Sequence, residues 1–295
     1  MAAPIPRPSK STNVRPVRFP ALLRVVLGAL HGLSVVAPRL AVHLAEVLWT
    51  SPRRHERPRW ESDLLARGEP LVVPFGLGGL RAWSWGQGPV VLLVHGWEGR
   101  GAQLGALVDP LVAAGYRVVA YDAPGHGDSP GRRASIVSFS DALLAAARTV
   151  GPVDTIVSHS LGAAATTLAL AGGLQARRVA YVAPVDGGKG ARRFAAFMGM
   201  SATAQDRLLA RVEQRFGLPL EDFTAQELGP RLQVPLLVVH DRWDRVVPFA
   251  DGEGLARWSP RAELEPVEGL GHMRILRDPQ VVARVVDHVG PNAGA

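Results

Sequence analysis

Apolar residues follow two different spacings along the chain, and their alternation predicts the fold. From residue 71 onward, short runs that are apolar at nearly every position alternate with longer segments in which apolar residues recur every three or four positions. The short runs are typical of strands buried on both faces of a parallel sheet, and the longer segments are typical of amphipathic helices. Strand and helix in alternation predict a doubly wound α/β sheet.

Apolar runs and helical segments divide this part of the chain into a core and an insertion. The predicted strands are residues 71–74, 80–85, 90–94, 117–121, 155–158, 178–182, 236–240 and 263–267. The predicted core helices are residues 102–114, 138–150, 161–171, 249–257 and 279–289. About fifty residues separate the sixth strand from the seventh, whereas a crossover connection needs roughly a dozen. Because residues 191–198 and 204–216 have helical spacing, we predict a helical insertion over residues 185–232, between core segments 71–184 and 233–295.

The first 70 residues form a separate N-terminal part with a different pattern. Residues 1–18 are rich in Pro, Ser, Arg and Lys and are predicted to be a flexible basic arm. Two apolar stretches with helical spacing follow, the second opened by Pro38. Three interpretations remain open: two helices packed on the domain, a peripheral membrane contact through residues 1–50, or a cleaved signal segment. No run reaches the roughly 18 apolar residues of a membrane span, so we expect a cytoplasmic protein, with membrane association as the alternative.

Charge and composition exclude several classes of function. The net charge is +7, but residues 1–60 contain ten Lys or Arg against two Glu, and the remainder is close to neutral. Since no basic stripe with interleaved aromatic residues follows, no nucleic-acid partner is expected. The chain has no cysteine, which excludes disulfides, thiolate catalysis and cysteine-based metal sites.

The strongest local motif is Ser-His-Ser-Leu-Gly, residues 158–162, between a predicted strand and a predicted helix. A sharp strand-to-helix turn exposes the central side chain, here Ser160, at a helix N-terminus that favours a developing negative charge. Ser158 stands where the common pattern has glycine, and serine is small enough for such a turn. Ser160 is therefore the candidate nucleophile, and the alternative is that its hydroxyl merely caps the helix.

A glycine-bearing loop, Val-His-Gly-Trp-Glu-Gly at residues 94–99, follows the third predicted strand. Such a loop can aim a backbone N–H at the reaction centre, and the oxyanion of an acyl-transfer intermediate needs two such donors. We predict the backbone N–H groups of Trp97 and Leu161 as these donors. His95 is predicted to be structural.

Two later loops supply a candidate acid and a candidate base. Asp244 follows the strand 236–240, and His272 follows a Gly-Leu-Gly segment after the last strand. Because sites in such sheets form at the carboxyl ends of the strands, the chain order Ser160, Asp244, His272 predicts a Ser-His-Asp triad. The alternatives are Asp241 or Asp186 as the acid and His288 as the base.

Together these motifs resemble the α/β-hydrolase family over about residues 71–290. Residues 95–97, His-Gly-Trp, resemble the family's oxyanion loop. Residues 122–129, Asp-Ala-Pro-Gly-His-Gly-Asp-Ser, resemble its segment after the next strand, in which the histidine is structural. Asp244 within Asp-x-x-Val-Pro and His272 after Gly-x-Gly match the family's acid and base.

The resemblance also implies the fold and the role of the insertion. It implies a mostly parallel, eight-stranded sheet with helices on both faces. It further implies that the insertion is a small helical lid over the active site. Four large apolar residues of this insertion either line an acyl pocket or form the lid's own core: Phe194, Phe197, Met198 and Met200.

The expected activity is that of a serine hydrolase acting on a small-molecule carboxylic ester or thioester through an acyl-enzyme. It needs no cofactor and no metal. Two alternatives remain open: a catalytically silent binding protein of the same fold, and a triad enzyme of another reaction, such as acyl transfer or cofactor-free haloperoxidation. The sequence leaves the substrate and the oligomeric state open.

Overall fold

The computed structural model describes residues 21–291, and a single eight-stranded sheet lies at its centre. Its strands are β1 (Glu69–Val73), β2 (Leu80–Trp85), β3 (Val90–Val94), β4 (Arg117–Tyr121), β5 (Val153–His159), β6 (Arg178–Val182), β7 (Leu236–Asp241) and β8 (Ala262–Val267). They are ordered β1-β2-β4-β3-β5-β6-β7-β8. The six strands from β4 to β8 in this order are parallel, whereas β1 and β2 are antiparallel to their neighbours. This arrangement confirms the predicted mostly parallel sheet.

Helices cover both faces of the sheet. They are α1 (Ala21–Val36), α2 (Pro38–Thr50), α3 (Arg59–Ala66), α4 (Val108–Ala113), α5 (Ile136–Val150), α6 (Leu161–Ala171), α7 (Gly187–Phe197), α8 (Ala202–Phe216), α9 (Ala225–Leu228), α10 (Phe249–Trp258), α11 (Gly271–Arg274) and α12 (Pro279–Val289). Strand β3 shows why its run is apolar throughout: Val91 and Leu93 pack towards α4 and α12, while Leu92 and Val94 pack towards α5 and α6. Side chains on both faces are buried, as the pattern predicted.

Two features of the core differ from the prediction. The expected helix over residues 102–114 is a 3₁₀ helix, Gly101–Leu107, followed by the short helix α4. A side chain at Gly101 would lie 2.9 Å from the carbonyl oxygen of Tyr121, so this segment approaches the sheet too closely for larger residues. Helix α3 was not predicted, because its sequence has few apolar positions, and β1 begins two residues before the expected start of the core.

The insertion between β6 and β7 consists of helices, as predicted. It comprises α7, α8 and α9 with the 3₁₀ helices Leu220–Phe223 and Gly229–Arg231. Asp186 caps α7 by accepting from the N–H of Lys189, and it also accepts from the N–H of Ala225. Asp251 accepts from the N–H of Asp186 and pairs with the guanidinium of Arg193. These buried carboxylates join the insertion to the core.

The N-terminal helices α1 and α2 pack against each other, and α2 packs against α8 of the insertion. Glu46 of α2 is buried there between Arg211 and Arg215 of α8. Burial opposes the charge of Glu46, but hydrogen bonds and attraction from the two arginines outweigh it and lower its pKa. The predicted basic arm, residues 1–18, lies outside the described residues. Among residues 21–291, no helix is both long and apolar enough to cross a bilayer.

Candidate active site

Ser160 occupies a sharp turn between β5 and α6. Its backbone has φ 52° and ψ −120°, a left-handed conformation that L-residues rarely adopt. Its side chain makes no capping hydrogen bond to α6. The alternative that Ser160 serves as a helix cap is therefore wrong, and its hydroxyl points elsewhere.

Small residues on either side of Ser160 leave enough room for this turn to pack against the neighbouring backbone. A side chain at Gly162 would lie 2.7 Å from the carbonyl oxygen of Val94 and closer still to that of His95, so only glycine fits there. Ser158, which replaces the more common glycine, is fully buried, and its hydroxyl lies 2.7 Å from that of Thr166. The hydroxyl that this substitution adds thus has a hydrogen-bond partner in α6.

The structure brings the three predicted triad residues together. The Nε2 atom of His272 lies 3.0 Å from the Oγ atom of Ser160, and its Nδ1 atom lies 2.7 Å from Oδ2 of Asp244. Asp244 follows β7, and His272 lies in the one-turn helix α11 after β8 rather than in an open loop. All three side chains stand at the carboxyl edge of the sheet, where sites of such folds form.

Asp244 is held as a carboxylate by several donors. Its Oδ1 atom accepts from the N–H groups of Val246 and Val247, at 2.7 and 3.0 Å. The ring of His240 lies 3.6 Å from Oδ2. Burial by itself raises the pKa of Asp244, but the hydrogen bonds of His240, His272 and Val246 outweigh it and hold the pKa well below its ordinary value of 3.8.

The alternative acids and the alternative base lie elsewhere and have structural partners. Asp241 accepts from the N–H groups of Leu270 and Gly271, which holds the His272 segment against β7. Asp186 caps α7. The ring of His288 in α12 lies 3.0 Å from the carbonyl oxygen of Val179, and among the described residues none of the three side chains is hydrogen-bonded to the hydroxyl of Ser160.

The loop after β3 lies directly against the Ser160 turn. A side chain at Gly96 would lie 2.8 Å from the Cβ atom of Ser160, so the absence of a side chain permits this approach. The predicted donors, the N–H groups of Trp97 and Leu161, have no hydrogen-bond acceptor among the described residues. Glu98 of the same loop has φ 54° and forms an ion pair with Arg53 at 3.0 Å.

The two histidines predicted to be structural are buried near this loop. His95 lies 2.7 Å from the carbonyl oxygen of Gly96 through Nδ1, and its Nε2 accepts from the N–H of Ala123. His126 lies 2.9 Å from the carbonyl oxygen of Pro124. Burial lowers the pKa of both rings, that of His126 to about 4, so both are neutral at pH 7.

An apolar cavity of about 260 Å³ opens at Ser160. It is lined by residues of four regions: Trp49, Thr50, Trp97, Ala134, Ser135, Ile136, Ser160, Leu161, Val185, Gly187, Gly190, Ala191, Phe194, Val246 and Val247. Of the four apolar insertion residues considered from the sequence, only Phe194 lines the cavity. Met198 and Met200 are buried in the packing between the insertion and the N-terminal helices, and Phe197 is 41% exposed.

Sequence reasoning missed two contributors to this region. His159, the residue before Ser160, places its Nε2 atom 3.0 Å from the carbonyl oxygen of His272. Trp49 at the end of α2 stacks on Phe194 with a ring-centroid distance of 4.9 Å and forms part of the cavity wall. His159 stood inside the motif already identified, but nothing in the sequence signalled that Trp49 would reach the cavity. Among residues 21–291, no three His, Cys, Asp or Glu side chains converge as metal ligands.

Known proteins similar to this chain agree with its fold. A curated relative, the pimeloyl-[acyl-carrier protein] methyl ester esterase of Aromatoleum aromaticum, is 27% identical over 249 residues, which cover 68% of this chain and 98% of the relative. A monoacylglycerol lipase of Paleococcus ferrophilus superposes with a TM-score of 0.57 at 20% identity, covering 71% of this chain and 98% of the lipase. A bromoperoxidase of Bacillus anthracis superposes with a TM-score of 0.56 at 16% identity, covering 75% and 99%.

The two structural likenesses show a shared fold and no more, because their sequence identities are low. A family-wide comparison is more decisive. The sequence model of the alpha/beta hydrolase family matches residues 91–285. These residues run from β3 into α12 and make up well over half of the chain. The chain therefore belongs to the alpha/beta hydrolase family.

Proposed function

We propose that this chain is a serine hydrolase that cleaves a carboxylic ester or thioester through a triad of Ser160, His272 and Asp244. One observation carries the proposal: a continuous hydrogen-bonded chain joins the three side chains, with steps of 3.0 and 2.7 Å, at the mouth of an apolar cavity. Nucleophile, base and orienting acid within hydrogen-bond reach are the arrangement that activates a serine hydroxyl.

Proton transfer would run along this chain. The Nδ1–H of His272 donates to Asp244, which leaves Nε2 free to accept from the hydroxyl of Ser160. His272 takes that proton as Ser160 attacks the substrate carbonyl carbon, and Asp244 stabilises the imidazolium. The leaving alcohol or thiol receives the proton from His272 as the acyl-enzyme forms. A water molecule, deprotonated by His272, then releases the acid and restores Ser160.

Stabilisation of the oxyanion falls to the N–H groups of Trp97 and Leu161. The glycine at position 96 lets the first loop approach Ser160, and Leu161 is the first residue of α6. Because neither N–H is engaged within the described residues, both are available to a developing negative charge. The N-terminus of α6 adds a favourable partial positive charge.

The cavity points to an acyl group as the part of the substrate that is recognised. Its wall is mostly apolar, with Trp49, Ile136 and Phe194 among the large side chains. Its volume of about 260 Å³ lies near the lower end of ligand pockets, so it suits a short or medium acyl chain. The insertion that carries Phe194 would act as the lid. The name of the curated relative, a methyl ester esterase, favours an oxygen ester, and a thioester remains the alternative.

The other functions are less well supported by these contacts. A silent binding protein would have no need of three titratable or nucleophilic groups in hydrogen-bond contact, or of a serine held at a strained φ. Acyl transfer or haloperoxidation would use the same triad, so identification of the products distinguishes them from hydrolysis.

A fluorophosphonate probe combined with an ester panel tests the proposal. We expect the probe to label the native chain at Ser160, and Ser160→Ala to lose both labelling and hydrolysis of p-nitrophenyl and acyl-thioester substrates. Ser158→Ala is the matched control, because Ser158 is buried two residues away and bonds to Thr166. Full activity of the folded Ser160→Ala variant, or labelling at another serine, would overturn the assignment.

A further inference from the structure

The N-terminal hairpin of α1 and α2 has an outer face that is both exposed and apolar. Its large apolar residues exposed to solvent are Val25, Val26, Val35, Val36, Leu40, Leu44 and Leu48. The three leucines lie four residues apart, so they form one stripe along α2, and they are 50%, 41% and 51% exposed. Single exposed apolar residues are ordinary, but a contiguous stripe marks an interaction surface.

The inner face of the hairpin already has its partner within the chain. Ala41, Val42 and Ala45 of α2 are buried against the insertion, in a cluster that includes Leu208 and Val212 of α8. The hairpin is thus anchored by one side. The leucine stripe on its other side has no role in that packing.

The exposed charge on the hairpin is of one sign only. Glu46 is the one acidic residue between positions 21 and 50, and it is buried in ion pairs with Arg211 and Arg215. The exposed charged residues of the two helices are Arg24 and Arg39. The outward surface therefore presents apolar groups and cations without an exposed carboxylate.

A cationic groove lies on a different side of the hairpin from the leucine stripe, between α2 and α8. Arg39, Arg207, Arg211 and Arg215 line this open depression of about 750 Å³, together with the single carboxylate of Glu46. Four guanidinium groups face one carboxylate, so the groove has an excess of positive charge. The twenty residues that precede α1 add four Lys or Arg and no acidic residue to the same end of the chain.

We propose that this hairpin face docks on a bilayer that contains anionic lipids. The leucine stripe of α2 and the valines of α1 enter the boundary between headgroups and acyl chains, as amphipathic helices do. Arg24 and Arg39, the exposed cations of the hairpin, bind lipid phosphates. An acidic protein would match the arginines but leave the apolar stripe unused, and pairing two copies of this chain through this face would bring their exposed arginines together.

Docking at this face would also connect the bilayer with the site. Helix α2 carries the stripe, and its last turn supplies Trp49 and Thr50 to the cavity wall beside Ser160. If the proposed hydrolase function holds, a substrate of this enzyme is an acyl ester that partitions into a lipid surface. This part of the inference rests on the proposed function, whereas membrane docking does not.

Vesicle sedimentation with the full chain tests the docking surface. We expect co-sedimentation with vesicles of phosphatidylcholine and phosphatidylglycerol, weaker association with phosphatidylcholine alone, and a decrease with added salt. Leu44→Glu should lower the partition coefficient at least tenfold or so, because it removes buried apolar area and adds a like charge. Arg39→Glu should lower it at least about fivefold.

Matched controls separate this surface from general effects. Leu77→Glu changes a fully exposed leucine in the β1–β2 turn, and Arg148→Glu changes an exposed arginine of α5; both should bind vesicles like the native chain. Hydrolysis of a water-soluble p-nitrophenyl ester, together with circular dichroism, checks that every variant is folded. It also keeps failure of the docking proposal distinct from failure of the proposed catalytic function.

Several outcomes would overturn the proposal. One is the absence of binding to either vesicle, and another is an equal loss of binding in the control variants. A third is a dimer in light scattering that Leu44→Glu dissociates while vesicles are not bound, which would assign the face to a second copy. A fourth is binding of an acidic protein, lost in Arg39→Glu, without any vesicle binding.

Discussion

The ring of His159 supports the backbone of His272: its Nε2 atom lies 3.0 Å from the His272 carbonyl oxygen, and the two ring centroids are 4.6 Å apart. Burial and the neighbouring His272 lower the pKa of His159 to about 3, so the ring is neutral at pH 7 and donates its Nε2–H. Within the proposed mechanism, His159 is a positioning residue that holds the base over Ser160.

His159→Ala should therefore reduce turnover more than substrate binding. We expect kcat to fall by roughly tenfold to a hundredfold, because small displacements of a catalytic group have effects of this size, with KM little changed. The rate of fluorophosphonate labelling at Ser160 should fall in parallel. His159→Gln, which retains a donor, should recover part of the rate. Unchanged labelling in a folded His159→Ala variant would contradict this role.

The backbone conformation of Ser160 predicts that the protein becomes more stable, although inactive, when glycine replaces this residue. Its φ of 52° is unfavourable for any residue with a Cβ atom, and glycine adopts it freely. Ser160→Gly should be more stable than Ser160→Ala by about 1 kcal/mol, although both are inactive. Urea unfolding of the two variants measures the difference. Equal stability would mean that the turn carries no strain.

The lowered pKa of Asp244 predicts how stability depends on pH. A carboxylate whose pKa is lowered in the folded state stabilises that state above its unfolded pKa, near 3.8, and loses this contribution as the pH falls towards the folded value. From pH 5 to pH 3, the native chain should lose about 1 kcal/mol more than Asp244→Asn. Urea titrations at both pH values test this, and parallel losses would refute it.

The position of Trp49 in the cavity wall predicts that the N-terminal helices influence which substrates are preferred. Removal of its ring opens the cavity wall beside Phe194, so Trp49→Ala should shift the preference among p-nitrophenyl esters towards longer acyl chains. Trp258→Ala, at a 43% exposed position of α10, is the control and should leave the profile unchanged. The same chain-length optimum in Trp49→Ala would show that acyl groups do not reach this wall.

The core could be predicted from the sequence because its signals are local. A strand such as Val90–Val94 is apolar at each position only if both faces are covered, and the order of Ser160, Asp244 and His272 depends on which strand each follows. Their convergence then results from the parallel sheet, whose strand ends share one edge. Neither signal depends on individual side-chain contacts.

Other parts of the site depend on packing that has no local pattern. The contact of His159 with His272 spans 113 residues and depends on the orientation of two rings. Phe194 and Met198 look alike in sequence, but α7 ends at Phe197 and the chain turns at Gly199, which directs Met198 away from the cavity. Trp49 belongs to a segment outside the family's core, so no motif indicated its place.

The ion pairs of Glu46 have a consequence for recombining this protein with its relatives. Its carboxylate comes from the N-terminal segment, whereas its partners Arg211 and Arg215 come from the insertion. A chimera that exchanges only the insertion would leave a buried anion without its counterions, at a cost of roughly 3–5 kcal/mol. The two segments should therefore be transplanted as a unit, and in evolution they should change together.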